Sequence, residues 1–457
     1  MSGPVIFKLP LVKVRGRLDP RANQPLVQEL RNRLKYGLYP ANPLGAIANF
    51  RKVIVNQLVD GVTYIGLENI NGTDGEYAPT SDRESVSSAA IFSSGDILFP
   101  KLRPYLNKTH LANFDGICST EFHVLKVFDV SPEYVTAILR TNSMVQLTSQ
   151  WMTGNTLPRL QTADIQEIPI PIPPKSIQKQ VVDLMSLAYG QKKRLEIEAT
   201  ALLAQVDGVL LKHLGINLPK RNSGAIGGRI FIRKLSAMEH RLDSLFYQTS
   251  LLDFLQSSYF PIQVLSSVVN TFQSGFAAGK GDQVFDKGVI QIRPTNINED
   301  REFIFDRNVY LPEKLLQEFP NDRLQKGEVL FNNTNSQELV GKTVFFDLDG
   351  DYFCSNHITR IGVDTTKLNP RYLCAVLNAY QRMKIFYAMC VNWNNQSGIN
   401  IEALRKLRIP VPSLTIQANI VAEFELLESQ ARTLRQQALQ KLDTAKAQVE
   451  HLIFGIA

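Results

Sequence analysis

Little in this 457-residue chain is equipped for covalent chemistry. Its four cysteines, Cys118, Cys354, Cys374 and Cys390, show no Cys-x-x-Cys or other metal-ligand spacing. That argues against a disulfide scaffold and against a zinc module. No run approaches the roughly 18 apolar residues of a membrane span, and residues 1–15 lack the apolar core of a signal peptide. The expectation is a cytoplasmic protein with reduced thiols and no membrane contact. On that expectation the Asn-x-Ser/Thr triplets at 71–73 and 395–397 are chance matches.

Cofactor motifs are equally scarce. The six histidines, His110, His123, His213, His240, His357 and His451, are scattered and read as structural or solvent-facing residues and not as metal ligands. Residues 275–281, Gly-Phe-Ala-Ala-Gly-Lys-Gly, have the wrong spacing for a phosphate loop, and no Ser or Thr follows Lys280. They read as a glycine-rich turn. Asn369-Pro370-Arg371-Tyr372 approaches the Asn-Pro-Pro-Tyr motif of amino-methyltransferases, but Arg371 breaks it, and Ser131-Pro132-Glu133-Tyr134 holds the matching place earlier. Both fit better as helix starts, with Ser131 or Asn369 as N-cap and proline in the first turn. The chain reads as non-catalytic, with no cofactor.

What the chain has is a repeat of itself. Arg17-Leu18-Asp19 returns as Arg241-Leu242-Asp243, and Gly61-Val62-Thr63-Tyr64-Ile65 as Gly288-Val289-Ile290-Gln291-Ile292. Gly95-Asp96-Ile97-Leu98-Phe99 returns as Gly327-Glu328-Val329-Leu330-Phe331, and Ile117-Cys118-Ser119 as Phe353-Cys354-Ser355. Pro171-Ile172-Pro173-Pro174 with Gln178 matches Pro410-Val411-Pro412-Ser413 with Gln417. The offset grows from 224 (Arg17 to Arg241) to 239 (Pro171 to Pro410), so only small insertions separate the copies. So long a period means a duplicated module and not a solenoid.

Each copy begins with a mixed part and ends with a helical one. Short β-branched and aromatic runs at 62–67, 89–92 and 122–127, punctuated by turn residues, predict strands of an antiparallel or mixed sheet. Residues 132–147 and 370–389 predict intervening helices. Alternating Pro and Ile at 168–174 and 409–412 must be extended, since proline lacks the amide donor and restricts its predecessor. Then the period changes. Apolar residues at steps of three and four from 176 to 213, and again from 415 to 452, predict a long coiled-coil helix in each copy. Gly215 and Gly455 sit where helix caps want glycine. An amphipathic rod cannot bury its stripe alone, so the two rods should pack on each other.

The expected class is α+β, a tandem duplication of a mixed domain followed by a long helix. The boundaries are 1–172 and 235–411 for the mixed domains, 173–215 and 412–457 for the helices, and 216–234 for a polar, glycine-rich linker.

Polar and basic loops stand at equivalent places in the two copies. Copy one has residues 100–108, Pro-Lys-Leu-Arg-Pro-Tyr-Leu-Asn-Lys, where copy two has residues 332–338, Asn-Asn-Thr-Asn-Ser-Gln-Glu, followed by Gly341-Lys342. Residues 153–159 of copy one face residues 392–398 of copy two in the same way. Arg and Lys suit guanine edges and phosphates, while Asn and Gln suit adenine edges. The net charge of +7 is compatible with a polyanionic partner, though solvated loops are the plainer alternative. Candidate DNA-contacting residues are Lys101, Arg103, Tyr105, Asn107, Lys108, Asn155 and Arg159 in copy one. In copy two they are Asn332, Asn333, Asn335, Ser336, Gln337, Lys342, Asn394, Asn395 and Gln396.

These features in this order, doubled, resemble the specificity subunit of type I restriction-modification systems. The carrying residues are Arg-Leu-Asp near each copy's start, Gly95 to Phe99 with Lys101-Leu102-Arg103-Pro104-Tyr105, Phe331 to Lys342, Cys118-Ser119-Thr120-Glu121-Phe122, and the proline-rich entry with Gln178 or Gln417. The resemblance implies two target-recognition domains, each reading half of a bipartite site in double-stranded DNA, and two helices packed antiparallel as a spacer. It also implies partners: two adenine-N6 methyltransferase subunits and restriction subunits carrying a translocase-nuclease. Because the loops of the two copies differ, the half-sites should differ. Two alternatives stay open, a self-contained methyltransferase with its own specificity part and a coiled-coil protein-binding scaffold.

Overall fold

The computed structural model describes residues 20, 22–56, 61–79, 88–154, 158–216, 255–284, 287–393 and 396–455. The Arg-Leu-Asp repeats, Asn155, Asn394, Asn395 and all of the expected linker except Ile216 lie outside the described residues. The chain forms two compact units, one running to Glu198 and resuming at Thr433, the other spanning Ala199–Arg432.

The repeat in sequence is a repeat in topology. In the first unit the strands Ala48–Arg51, Phe122–Val127, Ile97–Pro100 and His110–Leu111 lie side by side in that order, each antiparallel to its neighbour. In the second, Val269–Ser274, Ile358–Val363, Val329–Asn332 and Thr343–Phe345 repeat both order and direction. A parallel pair recurs as well: Tyr64–Ile65 beside Gly116–Ser119, and Val289–Ile292 beside Tyr352–Cys354. Cys118 and Cys354 hold matched register positions in those pairs, opposite Ile65 and Ile292. Both are buried, and burial pushes both thiols up to about 12, so they serve as small core residues.

Several local expectations shorten. The strand expected at 62–67 survives only as Tyr64–Ile65, because a 3-10 turn, Leu67–Asn69, follows at once. Asn69 Oδ1 accepts the Gly66 amide at 2.8 Å and closes that turn, as Asn296 does for Arg293 at 3.0 Å. The helix expected over 132–147 is two helices, Pro132–Leu139 and Asn142–Gln150, since the Thr141 hydroxyl accepts the Met144 amide and starts a new one. In copy two Lys384, left-handed at φ 63°, separates Pro370–Arg382 from Ile385–Met389. Ser131 and Asn369 are N-caps as expected, their side chains accepting the Tyr134 amide and those of Arg371 and Tyr372. Residues 280–282 form a short 3-10 turn in the glycine-rich stretch.

The proline-rich hinges are strands of two-stranded ribbons. Pro169–Pro171 pairs with Ala41–Pro43, and Arg408–Pro410 with Ile262–Val264. In so narrow a ribbon each strand keeps an unpaired edge, which tolerates proline. The recurring glutamines tie each hinge to its long helix. Gln178 Nε2 donates to the Pro173 carbonyl at 2.9 Å, and Gln417 Nε2 to those of Pro412 and Lys367 at 2.8 and 3.0 Å. Gln417 Oε1 accepts the amide of the N-cap Asn369 at 2.7 Å. Tyr134 and Tyr372 complete the clamp by donating their hydroxyls to the Pro171 and Pro410 carbonyls.

The long helices run Lys175–Leu214 and Leu414–Phe454, each about 60 Å at 1.5 Å per residue. Gly215 and Gly455 close them in the left-handed conformation. In the first unit Val181, Met185 and Ala188, early in the first helix, share a core with Leu442, Ala445, Val449 and Ile453, late in the second. In the second unit Val206, Leu210 and Leu214, late in the first helix, share a core with Ile420, Val421 and Phe424, early in the second. There His213 Nε2 lies 2.7 Å from Glu423 Oε2. The packing is antiparallel. Heptad spacing is silent on that direction; the resemblance implied it and the structure shows it.

Each helix pair continues the core of its mixed domain. Tyr134, Ile138 and Leu147 belong to the first helical core, Tyr372, Val376 and Phe386 to the second. The sheets that carry the parallel pairs pack on the main sheets in separate clusters, one around Phe92 and Phe122 and one around Phe346 and Ile358.

Candidate nucleic-acid interface

In each unit the two loops singled out from sequence meet beyond the end of the same central strand. In the first unit that strand is Ile97–Pro100. Just past it, Lys101 donates its amide to the Glu121 carbonyl at 2.8 Å and accepts the Leu160 amide at 2.9 Å. The Arg103 amide donates to the Pro158 carbonyl at 3.1 Å, and Leu102 bridges to Arg159. Segments some fifty residues apart in sequence thus share one surface.

A bidentate ion pair stiffens this junction. Arg159 donates Nε to Glu121 Oε2 at 3.1 Å and Nη2 to Oε1 at 2.8 Å. The hydrogen bond from Arg159 holds the Glu121 carboxyl below its usual range. Both partners remain partly exposed, so geometry is the main product of the pair and its stability contribution is small. Lys101 Nζ donates to the Thr120 carbonyl at 2.6 Å, and Lys108 Nζ to that of Leu67 at 2.6 Å. Burial lowers both pKa values.

Between these lysines the chain makes an outward turn. Arg103 and Asn107, at φ 49° and 51°, are both left-handed and bracket the 3-10 turn Pro104–Leu106. Non-glycine residues enter that region at a cost and persist only when surroundings enforce it. At Asn107 the enforcement comes from Arg140, which is 1% exposed. Its Nη1 donates to the Asn107 and Thr109 carbonyls at 2.6 and 2.8 Å, and its Nη2 to that of Gly72 at 3.0 Å. Asn107 Nδ2 in return donates to the Arg140 carbonyl at 3.2 Å. The exposed product is Arg103 beside Tyr105, whose ring is 45% exposed.

The second unit builds its surface differently. Asn332, Asn333 and Lys342 are buried. Asn332 Nδ2 donates to the Leu339 carbonyl, Asn333 Nδ2 to that of Asn356 and to Thr359 Oγ1, and Lys342 Nζ pairs with Glu299 at 2.7 Å. These three shape the loop from within and do not face outward. Thr334–Asn335, Gln396–Gly398 and Val391–Trp393 then form a three-stranded sheet in that order, absent from the described part of the first unit. Gln396 and Trp393 are exposed on it, and Ser336 just past its first strand. Gln337 donates Nε2 to the Tyr387 carbonyl at 2.8 Å and accepts from Asn392 at 3.4 Å, while Asn335 accepts the Ser336 amide.

The outward chemistry is therefore a guanidinium and a phenol in one unit, and amides, a hydroxyl and an indole in the other. Guanidinium and amide groups can read base edges, and exposed aromatics can stack on or wedge between bases. Sequence reading passed over Arg140 and Trp393. A single arginine near the end of a short helix carries no periodic signal, while Trp393 sat within the polar stretch of 392–398 as its one large ring.

The family described as type I restriction modification DNA specificity domain matches residues 70–203 and again residues 294–444. Over 143 residues the chain is 26% identical to the EcoDI type I restriction enzyme specificity subunit of Escherichia coli, covering 31% of this chain and 32% of that one. The match thus spans about a third of that relative's length. Among solved structures, a chain from work on complex assembly and conformational transition of the type I R-M system aligns at 17% identity, TM-score 0.48, covering 91% of this chain and 96% of that one. The S subunit of a type I restriction-modification system from M. genitalium aligns at 12% identity, TM-score 0.41, with the same coverage. No helix among the described residues is long and apolar enough to cross a membrane. With both family matches together spanning more than half of its length, the chain belongs to the type I restriction-modification DNA specificity family.

Proposed function

We propose that the chain is the DNA-reading subunit of a type I restriction-modification complex, each unit reading one half of a bipartite, asymmetric site in double-stranded DNA. One observation carries this: two units with the same strand order present chemically different surfaces beyond the same strand end, Ile97–Pro100 in one and Val329–Asn332 in the other. A scaffold repeated for stability alone has no need of divergent exposed loops. The chain itself performs no chemistry in this reading. Methyl transfer to adenine N6 and cleavage belong to the subunits that dock on it.

Exchanging residues 20–165 for the equivalent domain of another family member tests the reading. The methylation pattern of a host carrying the intact system should change in one half-site and keep the other. A change in both halves would remove the two-reader model. In the chain without that exchange, Arg103→Ala should relax only the half-site assigned to the first unit, a base contact of this kind contributing about 1–3 kcal/mol.

The helices offer matched docking points for the methyltransferase subunits. Leu187 and Leu426 are 61% and 57% exposed and occupy equivalent places, 239 residues apart, as are Gln178 and Gln417. Large apolar side chains left exposed at corresponding places of two copies suit two copies of one partner. Leu187→Asp should halve the number of methyltransferase subunits bound per chain, and the double variant Leu187→Asp/Leu426→Asp should abolish binding, with helix content unchanged. Light-scattering masses that stay at the wild-type value in the double variant would show that docking lies elsewhere.

A further inference from the structure

A loop of the first unit reaches from its mixed domain onto the first long helix. Asp74 Oδ2 lies 2.7 Å from Lys192 Nζ, and the two side chains are only 9% and 3% exposed. Lys192 also holds Glu196, one turn further on, at 2.7 Å. Burial disfavours its charge, but the hydrogen bonds to Asp74 and Glu196 outweigh that and leave its pKa above the usual lysine value. Lys193 beside it reaches Glu76 at 3.5 Å. From the other side Arg140 grips the Gly72 carbonyl of the same loop. The loop is thus held at both ends, by the recognition domain and by the rod.

The second unit joins domain to helix with more exposed pairs. Arg382 meets Asp207 with partners 39% and 26% exposed, and Arg432 meets Glu302 at 3.6 Å with 61% and 40% exposed. Exposed pairs confer little rigidity, whereas a buried pair cannot be broken without leaving a charge unsolvated. A buried ion pair also contributes less to net stability than an apolar pair of the same size, so its distinctive product is a fixed geometry.

We propose that Asp74–Lys192 is a latch that fixes the first reader on its rod and so sets how strictly the complex counts the base pairs between the two half-sites. Both residues are positioning residues, acting on DNA only through the domain they hold. The proposal rests on the two-half reading above. With the latch intact, the reader has one orientation on the rod, and only one spacer length brings both surfaces onto their bases. With the latch open, small rotations of the domain let spacers one base pair longer or shorter be read, and neither half-site sequence changes.

The test uses the complete chain with its methyltransferase partners and a set of duplexes that carry both half-sites at the native spacer and at spacers one and two base pairs longer and shorter. Lys192→Met should raise methylation of the off-by-one duplexes, relative to the native one, at least about tenfold, the equivalent of about 1.4 kcal/mol of discrimination. Lys192→Arg, which keeps the ion pair, should restore strictness. Leu139→Ala, a core change in the same unit, should lower stability without loosening the count. If Lys192→Met fails to assemble, Asp74→Asn decides by the same ratio. A Lys192→Met complex as strict as wild type overturns the latch alone. A wild-type complex indifferent to spacer length would remove the two-half reading and the latch together.

Discussion

Arg140→Met should unfold the first unit well before the second. The guanidinium donates to three backbone carbonyls, those of Gly72, Asn107 and Thr109, from a side chain almost wholly removed from water. A buried acceptor left without its partner costs about 1–3 kcal/mol, so three of them predict a loss of at least about 3 kcal/mol. Methionine fills much of the space but offers no donor. Gly75, packed on the same group, gives the companion test. Its φ is +78°, and an added Cβ would stand 2.5 Å from the Thr109 carbonyl oxygen and 2.6 Å from Arg140 Nη1, so Gly75→Ala should destabilise in the same direction. Urea unfolding followed by fluorescence should split into two transitions. On the proposed reading, recognition of the half-site assigned to the first unit should fail first, because Asn107, at the end of the exposed turn, loses what holds it left-handed. A variant that unfolds in one transition at the wild-type midpoint would show that the three carbonyls find other donors.

The second large effect concerns length. A four-residue insertion after Ala199, matched by one after Ala438, should lengthen the spacer by one or two base pairs and leave both half-site sequences unchanged. These alanines are 239 residues apart, the spacing of Gln178 and Gln417, and both are buried in their helices. Four residues add roughly 6 Å of helix, against a rise of about 3.4 Å per base pair of duplex. They also turn the seam by about 40° past register, which a coiled coil absorbs as a stutter. Lengthening both helices keeps the antiparallel pair matched. Methylome sequencing of a host carrying the altered chain reads the spacer directly. An assembled, active complex that keeps its original spacer would mean that the helices only dock partners and do not act as a ruler.

The parts legible in sequence were those that obey a period or recur. The long helices declared themselves through a stripe of apolar residues, and their observed ends, Lys175 and Leu214, Leu414 and Phe454, fall within two residues of that stripe's limits. The recurrence of Gln178 as Gln417 marked a repeated feature, but its role, gripping the hinge carbonyls, is tertiary and invisible to local reading. Side-chain direction is set by tertiary packing and has no local signature. Asn332, Asn333 and Lys342 have the composition of a binding loop, yet the chain folds their polar ends inward. Arg103 and Tyr105, flanked by Lys101 and Lys108, turn outward because two left-handed residues reverse the chain there; Asn107 is a residue type that enters that region readily, but nothing about Arg103 announces it.

The core that completes the first unit contains Leu442, Ala445, Val449 and Ile453, which lie more than two hundred residues after the strands and helices they cover. A ribosome that has finished the first recognition domain has not yet made the helix end that seals it. Until then Val181, Met185 and Ala188 lack the part of their core that this helix end supplies. Loop closure over such a separation is slow, and exposed stripes invite aggregation. The second unit has no such delay: its share of the first helix, residues 199–214, is made before its own domain. Although its domain is translated first, the first unit should be the last to mature, and the passage of the nascent chain through that open state is where chaperones would be needed.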